Sequence, residues 1–158
     1  MQHASDGHDE RTVRPAVEGW FASDPEPHLL GQRCADCATV VFPPRAVTCP
    51  NPACVGEELP VTPLSRTGRV WSYATNHYPP PAPYVPADPF EPITIAAVEL
   101  RDEAITVLGQ VAGPTDGLRV GAEVELEIGT LLTTDTEEHT VWRWRVVAPV
   151  RSGAEVSA

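Results

Sequence analysis

The stretch Cys34-Ala35-Asp36-Cys37 is followed, eleven residues later, by Cys49-Pro50-Asn51-Pro52-Ala53-Cys54. Two cysteine pairs at this spacing are typical of two short turns that present four thiolates tetrahedrally to one zinc ion. With sulfur in all four positions no site stays open for water, so we expect structural Zn²⁺ without a catalytic role. The predicted metal ligands are Cys34, Cys37, Cys49 and Cys54.

The cellular compartment decides between zinc and disulfides. The polar N-terminus shows no signal-peptide pattern, and no apolar run approaches the roughly 20 residues of a membrane helix. We therefore expect a cytoplasmic protein without membrane contact, where paired cysteines bind metal more often than they form disulfides. Two disulfides are the alternative if the protein is secreted without a signal.

The charge of the chain is strongly acidic. The net charge is −11, and the eleven basic residues are all Arg. Such a chain repels nucleic acid and anionic membranes at long range, so neither is an expected partner.

The N-terminal part is organised around the cysteines. Residues 1–12 are predicted to be a disordered tail, because they are small or charged and show no periodicity. Helical spacing of Val13, Val17, Trp20 and Phe21 predicts a short amphipathic helix over residues 13–22, as the start of a module at 13–62. The rest of that module is predicted to be a rubredoxin-like zinc ribbon, with strands over residues 28–33 and 38–44.

The second half favours a separate, mainly β domain over residues 63–150, with a loose tail at 151–158. Five short segments rich in β-forming residues follow one another, and a long loop comes early among them. This pattern fits a small closed Greek-key barrel of the OB type, and a five-stranded sandwich fragment is the alternative. The predicted strands are residues 68–77, 93–100, 104–111, 123–128 and 141–147.

The long loop, residues 78–92, contains seven prolines. Prolines restrict the unbound chain, so docking this loop into a partner costs less ordering entropy than docking a glycine loop. Tyr78, Tyr84 and Phe90 supply aromatic anchors of the type favoured at interfaces. The alternative is a stiff loop that only closes the barrel.

Motifs in both halves resemble the bacterial and archaeal family called domain of unknown function thirty-five. Two departures are visible, since Ala38 stands where a Gly commonly follows the first cysteine pair and the second pair is wider. The resemblance spans about residues 16 to 148. Its matching segments are, in order, Leu30-Gly31-Gln32-Arg33-Cys34-Ala35-Asp36-Cys37, Phe42-Pro43-Pro44-Arg45, Cys49-Pro50, Thr67-Gly68-Arg69-Val70-Trp71-Ser72-Tyr73, residues 92–100, Leu108-Gly109-Gln110-Val111 and Leu118-Arg119-Val120-Gly121-Ala122-Glu123-Val124.

The resemblance implies a non-catalytic accessory subunit. Members of that family usually work beside thiolase-superfamily proteins, including lipid-transfer-protein-type thiolases and aldolases, and help them hold or channel acyl-CoA. In actinobacteria such pairs are associated with steroid side-chain or fatty-acid breakdown. Acyl-CoA phosphates need local cations, and a guanidinium fork suits phosphate oxygens. The candidates are Arg33, Arg45, Arg66 and Arg69, which are otherwise ordinary surface residues or neighbours of the metal site.

Two other functions are weighed against this one. A stand-alone acyl-CoA enzyme lacks a free cysteine nucleophile, and a lone strand-end His77 is more often structural than catalytic. A single-stranded nucleic-acid binder would use aromatic residues for stacking, but residues 64–150 contain six Arg against twelve Asp or Glu. That balance opposes phosphate binding. The stacking candidates are Trp71, Tyr73, Trp142 and Trp144.

Overall fold

A computed structural model describes residues 11–81 and 85–147. These residues form β-strands joined by turns and loops. No helix occurs among them, and so no helix with the length and apolar character that a membrane span requires. The predicted tails fall mostly outside this part of the chain, as does Tyr84. The strands are β1 (Thr12–Pro15), β2 (Phe21–Ala22), β3 (His28–Arg33), β4 (Val40–Val41), β5 (Val61–Pro63), β6 (Thr67–Asn76), β7 (Ile93–Leu100), β8 (Ile105–Ala112), β9 (Glu123–Thr133) and β10 (Glu137–Val146).

Strands β6 to β10 close into a five-stranded barrel, which confirms the predicted OB-type domain. Its neighbours run in the order β10-β8-β7-β6-β9, and β9 pairs back onto β10. All of these pairs are antiparallel except β10 with β8, which is parallel. Closure leaves fewer exposed strand edges than an open sheet of the same strands would.

The alternation of the barrel strands explains why they form. Along β7 every second residue from Thr94 to Leu100 is buried, and the residues between them are more exposed. In β9, Val124 and Leu126 are buried as the spacing predicted, and Ile128 packs against the same core. Trp144 of β10 lies fully buried at the centre of the barrel. Gly109 leaves room for it, since a Cβ there would lie 2.7 Å from Trp144 Nε1.

The predicted helix over residues 13–22 is wrong. Strand β1 instead runs parallel to the first half of β10, from Thr12 beside Glu137 to Pro15 beside Thr140. Gly19 has a φ of 76°, which a right-handed helix does not allow, and β2 then pairs with β3. The backbone groups of this segment therefore find partners in two sheets, and the helical spacing of its apolar residues is coincidental.

The zinc-ribbon region is a small set of short strands around β3. Strand β3 pairs with β2, β4 and β5, all antiparallel, and the two cysteine-bearing turns leave from its end and from the loop after β4. Gln32 adds a side-chain clamp, because its amide donates to the Ala46 and Leu59 carbonyl oxygens and accepts from the Ala46 N–H.

Ribbon and barrel share one hydrophobic core. Leu29 and Leu64 from the ribbon side belong to the same buried cluster as Val98 and Leu126 of the barrel. At the junction Trp142 of β10 lies at the centre of an aromatic group, with ring centroids 5.8 to 6.0 Å from its neighbours, and its Nε1 donates to the Leu108 carbonyl oxygen at 2.9 Å. Those neighbours are Trp20, Phe21 and Phe42.

Replacing Trp142 with Ala should destabilise the whole protein, because it removes the central ring of the junction. We expect a loss of about 3 kcal/mol in the free energy of unfolding, measured by denaturant titration of the zinc-loaded protein. Trp71→Ala is the matched control, since Trp71 is 67% exposed. Its expected effect is within about 0.5 kcal/mol. Equal effects from the two substitutions would contradict the stabilising role assigned to Trp142 at the ribbon–barrel junction.

Candidate metal centre and surrounding surfaces

The four cysteines converge at one point. Their Sγ atoms all lie within 4.8 Å of one another, and none is in a disulfide. Cys34 Sγ lies 3.8 Å from Cys54 Sγ, and Cys37 Sγ lies 3.5 Å from Cys49 Sγ. A tetrahedral zinc ion with Zn–S bonds of about 2.3 Å requires sulfur atoms about 3.8 Å apart. The cluster therefore fits zinc, and the predicted ligand set comes together.

Backbone hydrogen bonds hold the two turns in shape. In the first turn the Ala38 N–H donates to the Cys34 carbonyl oxygen at 3.0 Å, and in the second the Cys54 N–H donates to that of Asn51 at 2.9 Å. The turns are tied together by the Cys49 N–H, which donates to the Gly56 carbonyl oxygen at 3.0 Å. In the folded ribbon these bonds fix the shape of both turns around the four sulfur atoms.

The backbone conformation of Ala38 shows how the first turn accommodates an alanine where the family pattern commonly has a glycine. Its φ is 60°, in the left-handed region where glycine is unstrained and an L-residue costs about 1–2 kcal/mol. The first turn thus has the backbone that a glycine there would favour, and Ala38 adopts it at a modest cost. The geometry of the ligands is kept.

The thiols differ in acidity. Thr39 hydrogen bonds, from its side chain and then its backbone, lower the pKa of Cys37 to about 6. The Gly56 N–H, which lies 3.4 Å from the Cys54 sulfur, lowers the pKa of that thiol, but the Cys37 side chain and burial outweigh it and raise the pKa to about 12. Zinc needs thiolates, so binding at neutral pH displaces the Cys54 proton. Metal binding at this site therefore releases protons.

The four predicted phosphate-binding arginines fall into two pairs. Arg66 and Arg69 lie at the ribbon–barrel junction, and carboxylates already pair with them: Glu26 Oε2 is 2.9 Å from Arg66 Nη1, and Glu123 Oε1 is 3.3 Å from Arg69 Nη2. Arg69 also lines an open cleft of about 470 Å³, together with Arg101 and several acidic residues. The structure therefore places this pair among negative charges.

Arg33 and Arg45 sit on the ribbon without a carboxylate partner among the described residues. The Arg45 guanidinium carbon stacks 4.9 Å from the centroid of the Trp20 ring, and Arg33 Nη1 donates a long 3.5 Å hydrogen bond to the Ala38 carbonyl oxygen. Both cations lie on the module that carries the metal site. Their charges are free to interact with an anion.

The aromatic residues of the proline loop are only partly described. Tyr78 is 71% exposed, Phe90 is half-buried, and Tyr84 lies outside the described residues. His77, at the base of the loop, is exposed, and no hydrogen bond holds its ring within the described part of the chain. A partner role for these side chains stays a prediction.

Two features were missed from the sequence. A ladder of ion pairs covers the outer face of β9 and β10, where Arg145 contacts Glu125 at 3.0 Å and Glu127 at 3.3 Å, and Arg143 lies 3.9 Å from Glu127. Alternating Glu in one strand and Arg in the next was the available signal in the sequence.

The second feature that was missed is the role of Glu103, a turn residue. Its carboxylate accepts hydrogen bonds from the Ser65 N–H at 2.8 Å and from the Ser65 hydroxyl at 3.0 Å.

A four-thiolate ribbon fused to a closed five-stranded barrel defines a zinc-ribbon/OB-fold protein. Two family models match it in chain order: the rubredoxin-like zinc ribbon domain of ChsH2 over residues 21–59, and the C-terminal OB-fold domain of ChsH2 over residues 61–129. The chain therefore belongs to the ChsH2 family, and its metal is the structural zinc of that ribbon. The resemblance drawn from the cysteine and strand motifs is confirmed.

Curated relatives are named as enzyme subunits. The chain is 33% identical over 105 residues to benzoylsuccinyl-CoA thiolase subunit BbsA of Thauera aromatica, a match that covers 66% of each protein. It is 34% identical over 120 residues to a probable enoyl-CoA hydratase alpha subunit of Thermomonospora curvata, covering 72% of this chain and 34% of that protein. The chain thus spans about a third to two thirds of these relatives.

A solved structure shows the same fold. The chain aligns with one described as Ltp2-ChsH2(DUF35) aldolase, with a TM-score of 0.61 and 28% sequence identity. The alignment covers 84% of this chain and 98% of that one. The similarity extends through both the ribbon and the barrel.

Replacing Cys34 with Ser should release zinc, because serine does not supply the buried thiolate. Metal analysis should fall from one zinc per chain to well below one, and the thermal midpoint should drop, since structural zinc contributes on the order of 10 kcal/mol to such modules. The control is Ala35→Ser, an exposed position in the same turn. Full zinc content in the Cys34 variant would contradict the ligand assignment.

Proposed function

We propose that this chain is a non-catalytic accessory subunit of a thiolase-superfamily or lipid-transfer-protein-type enzyme, and that it helps its partner bind or channel an acyl-CoA substrate. The observation that carries the proposal is the use of all four cysteines of the sequence in one structural zinc site. The names of its relatives, as thiolase and hydratase subunits, support the same role.

A catalytic role of its own has little support. Acyl transfer through an enzyme-bound thioester needs a reactive thiolate, and a thiolate that binds zinc in a closed site is not available as one. The ring of exposed His77 forms no hydrogen bond and no ion pair with any described residue, so no carboxylate orients it as a base. We therefore assign the chemical step to the partner.

The acyl-CoA contribution would come from the ribbon. Phosphate bound by Arg66 or Arg69 would have to displace Glu26, Glu125 or Glu123, whereas no carboxylate of the described residues pairs with Arg33 or Arg45. Charge-assisted contacts from a guanidinium to phosphate are strong and directional. Arg33 and Arg45 are thus better candidates for phosphate binding than Arg66 and Arg69. We place the assembled enzyme in the cytoplasm, in lipid or steroid side-chain metabolism.

Single-stranded nucleic-acid binding is the weaker alternative. Of the stacking candidates, Trp144 is fully buried and Trp142 is packed in the junction, so only Trp71 and Tyr73 are exposed. The arginines near the stacking candidates in sequence that could supply charge, Arg69, Arg143 and Arg145, are all ion-paired with glutamates. A stacking platform needs both an open aromatic surface and free positive charge.

Co-purification tests the proposal directly. The tagged chain should retain a thiolase-superfamily enzyme from its native cells, identified by mass spectrometry, and the pair should turn over an acyl-CoA that the chain alone leaves unchanged. The control is the tag alone, which should retain no such enzyme. Turnover by the pure chain, or recovery of nucleic acid without any such enzyme, would refute the proposal.

A second experiment separates the arginines in the assembled pair. Arg33→Gln should raise KM for acyl-CoA roughly fivefold or more with kcat little changed, because it removes a binding contact and leaves the chemistry intact. Arg69→Gln is the control, since Arg69 is paired with Glu123 and should alter KM less. A larger rise in KM from Arg69→Gln than from Arg33→Gln would show that the phosphate is bound in the cleft lined by Arg69 and not on the ribbon.

A further inference from the structure

The outer side of the sheet formed by β6, β7 and β8 is an exposed apolar surface. Alternate residues of β7 are buried in the barrel, so the residues between them point outward, and the register places β6 and β8 residues beside them. Ala97 lies between Ser72 and Leu108, and Ile95 lies beside Ala74. We define the β6–β8 face by Ser72, Ala74, Ile95, Ala97 and Leu108.

This face has no charged side chain, unlike the outer side of β9 and β10. The residues that continue the face toward the proline loop are also uncharged. They are Asn76, which pairs with Ile93, and Gln110, which pairs with Ile95. Leu108, on the β8 side of the face, is 63% exposed. Dehydrating such a surface costs little and gains apolar burial, whereas dehydrating the ion-pair ladder would cost the hydration of four charges. The β6–β8 face is therefore suited to contact with another protein, and the outer face of β9 and β10 is suited to water.

The shape of the β6–β8 face suits an inserted side chain. A shallow groove of about 250 Å³ runs across it, bordered by Tyr73, which is 43% exposed. Next to the groove the register passes from Val70 to Ser72 and leaves Trp71 as the unpaired residue of a bulge. Exposed aromatic residues beside an apolar groove are typical of the energetic centre of an interface.

The charge of the chain distinguishes between possible occupants. A second copy would bring two chains of net charge −11 together across a face that has no cation to offset the repulsion. Beyond one end of the face lies exposed Glu99, beside Arg69 in the register. Arg69 is ion-paired with Glu123 instead, and Glu99 forms no ion pair with any described residue. A partner with an apolar patch and a basic residue at its rim would complement both features.

We infer that the β6–β8 face is the docking surface for the enzyme partner, which meets it with an apolar patch bordered by a basic residue. This inference rests on the proposed function and adds a location to it. The proline loop leaves the barrel from the Asn76–Ile93 end of the same face, and Tyr78 near its start is exposed. The described start of the loop therefore lies next to the face.

The test introduces one charge into the face. With the enzyme identified by co-purification as the probe, Leu108→Glu should weaken binding at least about tenfold by titration calorimetry, because it buries an unpaired charge. Val13→Glu is the control, since Val13 is also 63% exposed but lies on β1. It should bind like the unchanged chain.

The outcomes separate the two proposals. If the unchanged chain does not bind the enzyme, the proposed function fails as well as the face. If the chain binds and Leu108→Glu binds equally tightly, only the docking surface is refuted. If the chain is a dimer that Leu108→Glu dissociates, the face belongs to a second copy and the inference is wrong. Ala74→Glu, at an exposed position on β6, tests the same face should Leu108→Glu not fold.

Discussion

The coordination of one zinc ion by four thiolates is the constraint on which the ribbon depends. The ribbon strands are two to six residues long, and few of their side chains are buried. A module of this size has too little apolar burial to offset the conformational entropy of folding, so the metal bonds must supply the difference. Zinc is therefore structural in the strict sense that the ribbon fold requires it.

The effect of the metal extends into the barrel through the shared core. Phe21 and Leu29 of the ribbon pack in the same cluster as Trp144 and Val98, and the rings around Trp142 close the junction. Two modules that share a core do not move freely relative to each other. This rigidity suits an accessory subunit, because a partner that docks on one module finds the other at a fixed position.

The sequence predicted those features that follow from local pattern. Cysteine spacing identified the zinc ligands. Alternation of apolar and polar residues identified the five barrel strands, because about every second residue of such a strand points into the core. The N-terminal segment was predicted as a helix because Val13, Val17, Trp20 and Phe21 have helical spacing. That spacing did not reveal the pairing of β1 with β10, which joins residues more than 120 positions apart. Tertiary hydrogen bonds here outweigh local periodicity.

The candidate phosphate site shows the same limit. Arg33, Arg45, Arg66 and Arg69 are close in sequence, but only the fold reveals that Glu123 and Glu125, on a distant strand, neutralise two of them. The β6–β8 face was likewise not predictable, since its residues come from three strands and lie side by side only in the folded sheet. Charge pairing and outer faces are properties of the assembled barrel.

Amide hydrogen exchange, followed by mass spectrometry before and after zinc removal by a chelator, tests most directly whether zinc organises both modules. The account predicts that removal abolishes protection in β3 and β4 and lowers it in β10 around Trp142, while β7 keeps most of its protection. Unchanged protection of β3 and β4 in the zinc-free protein would contradict it.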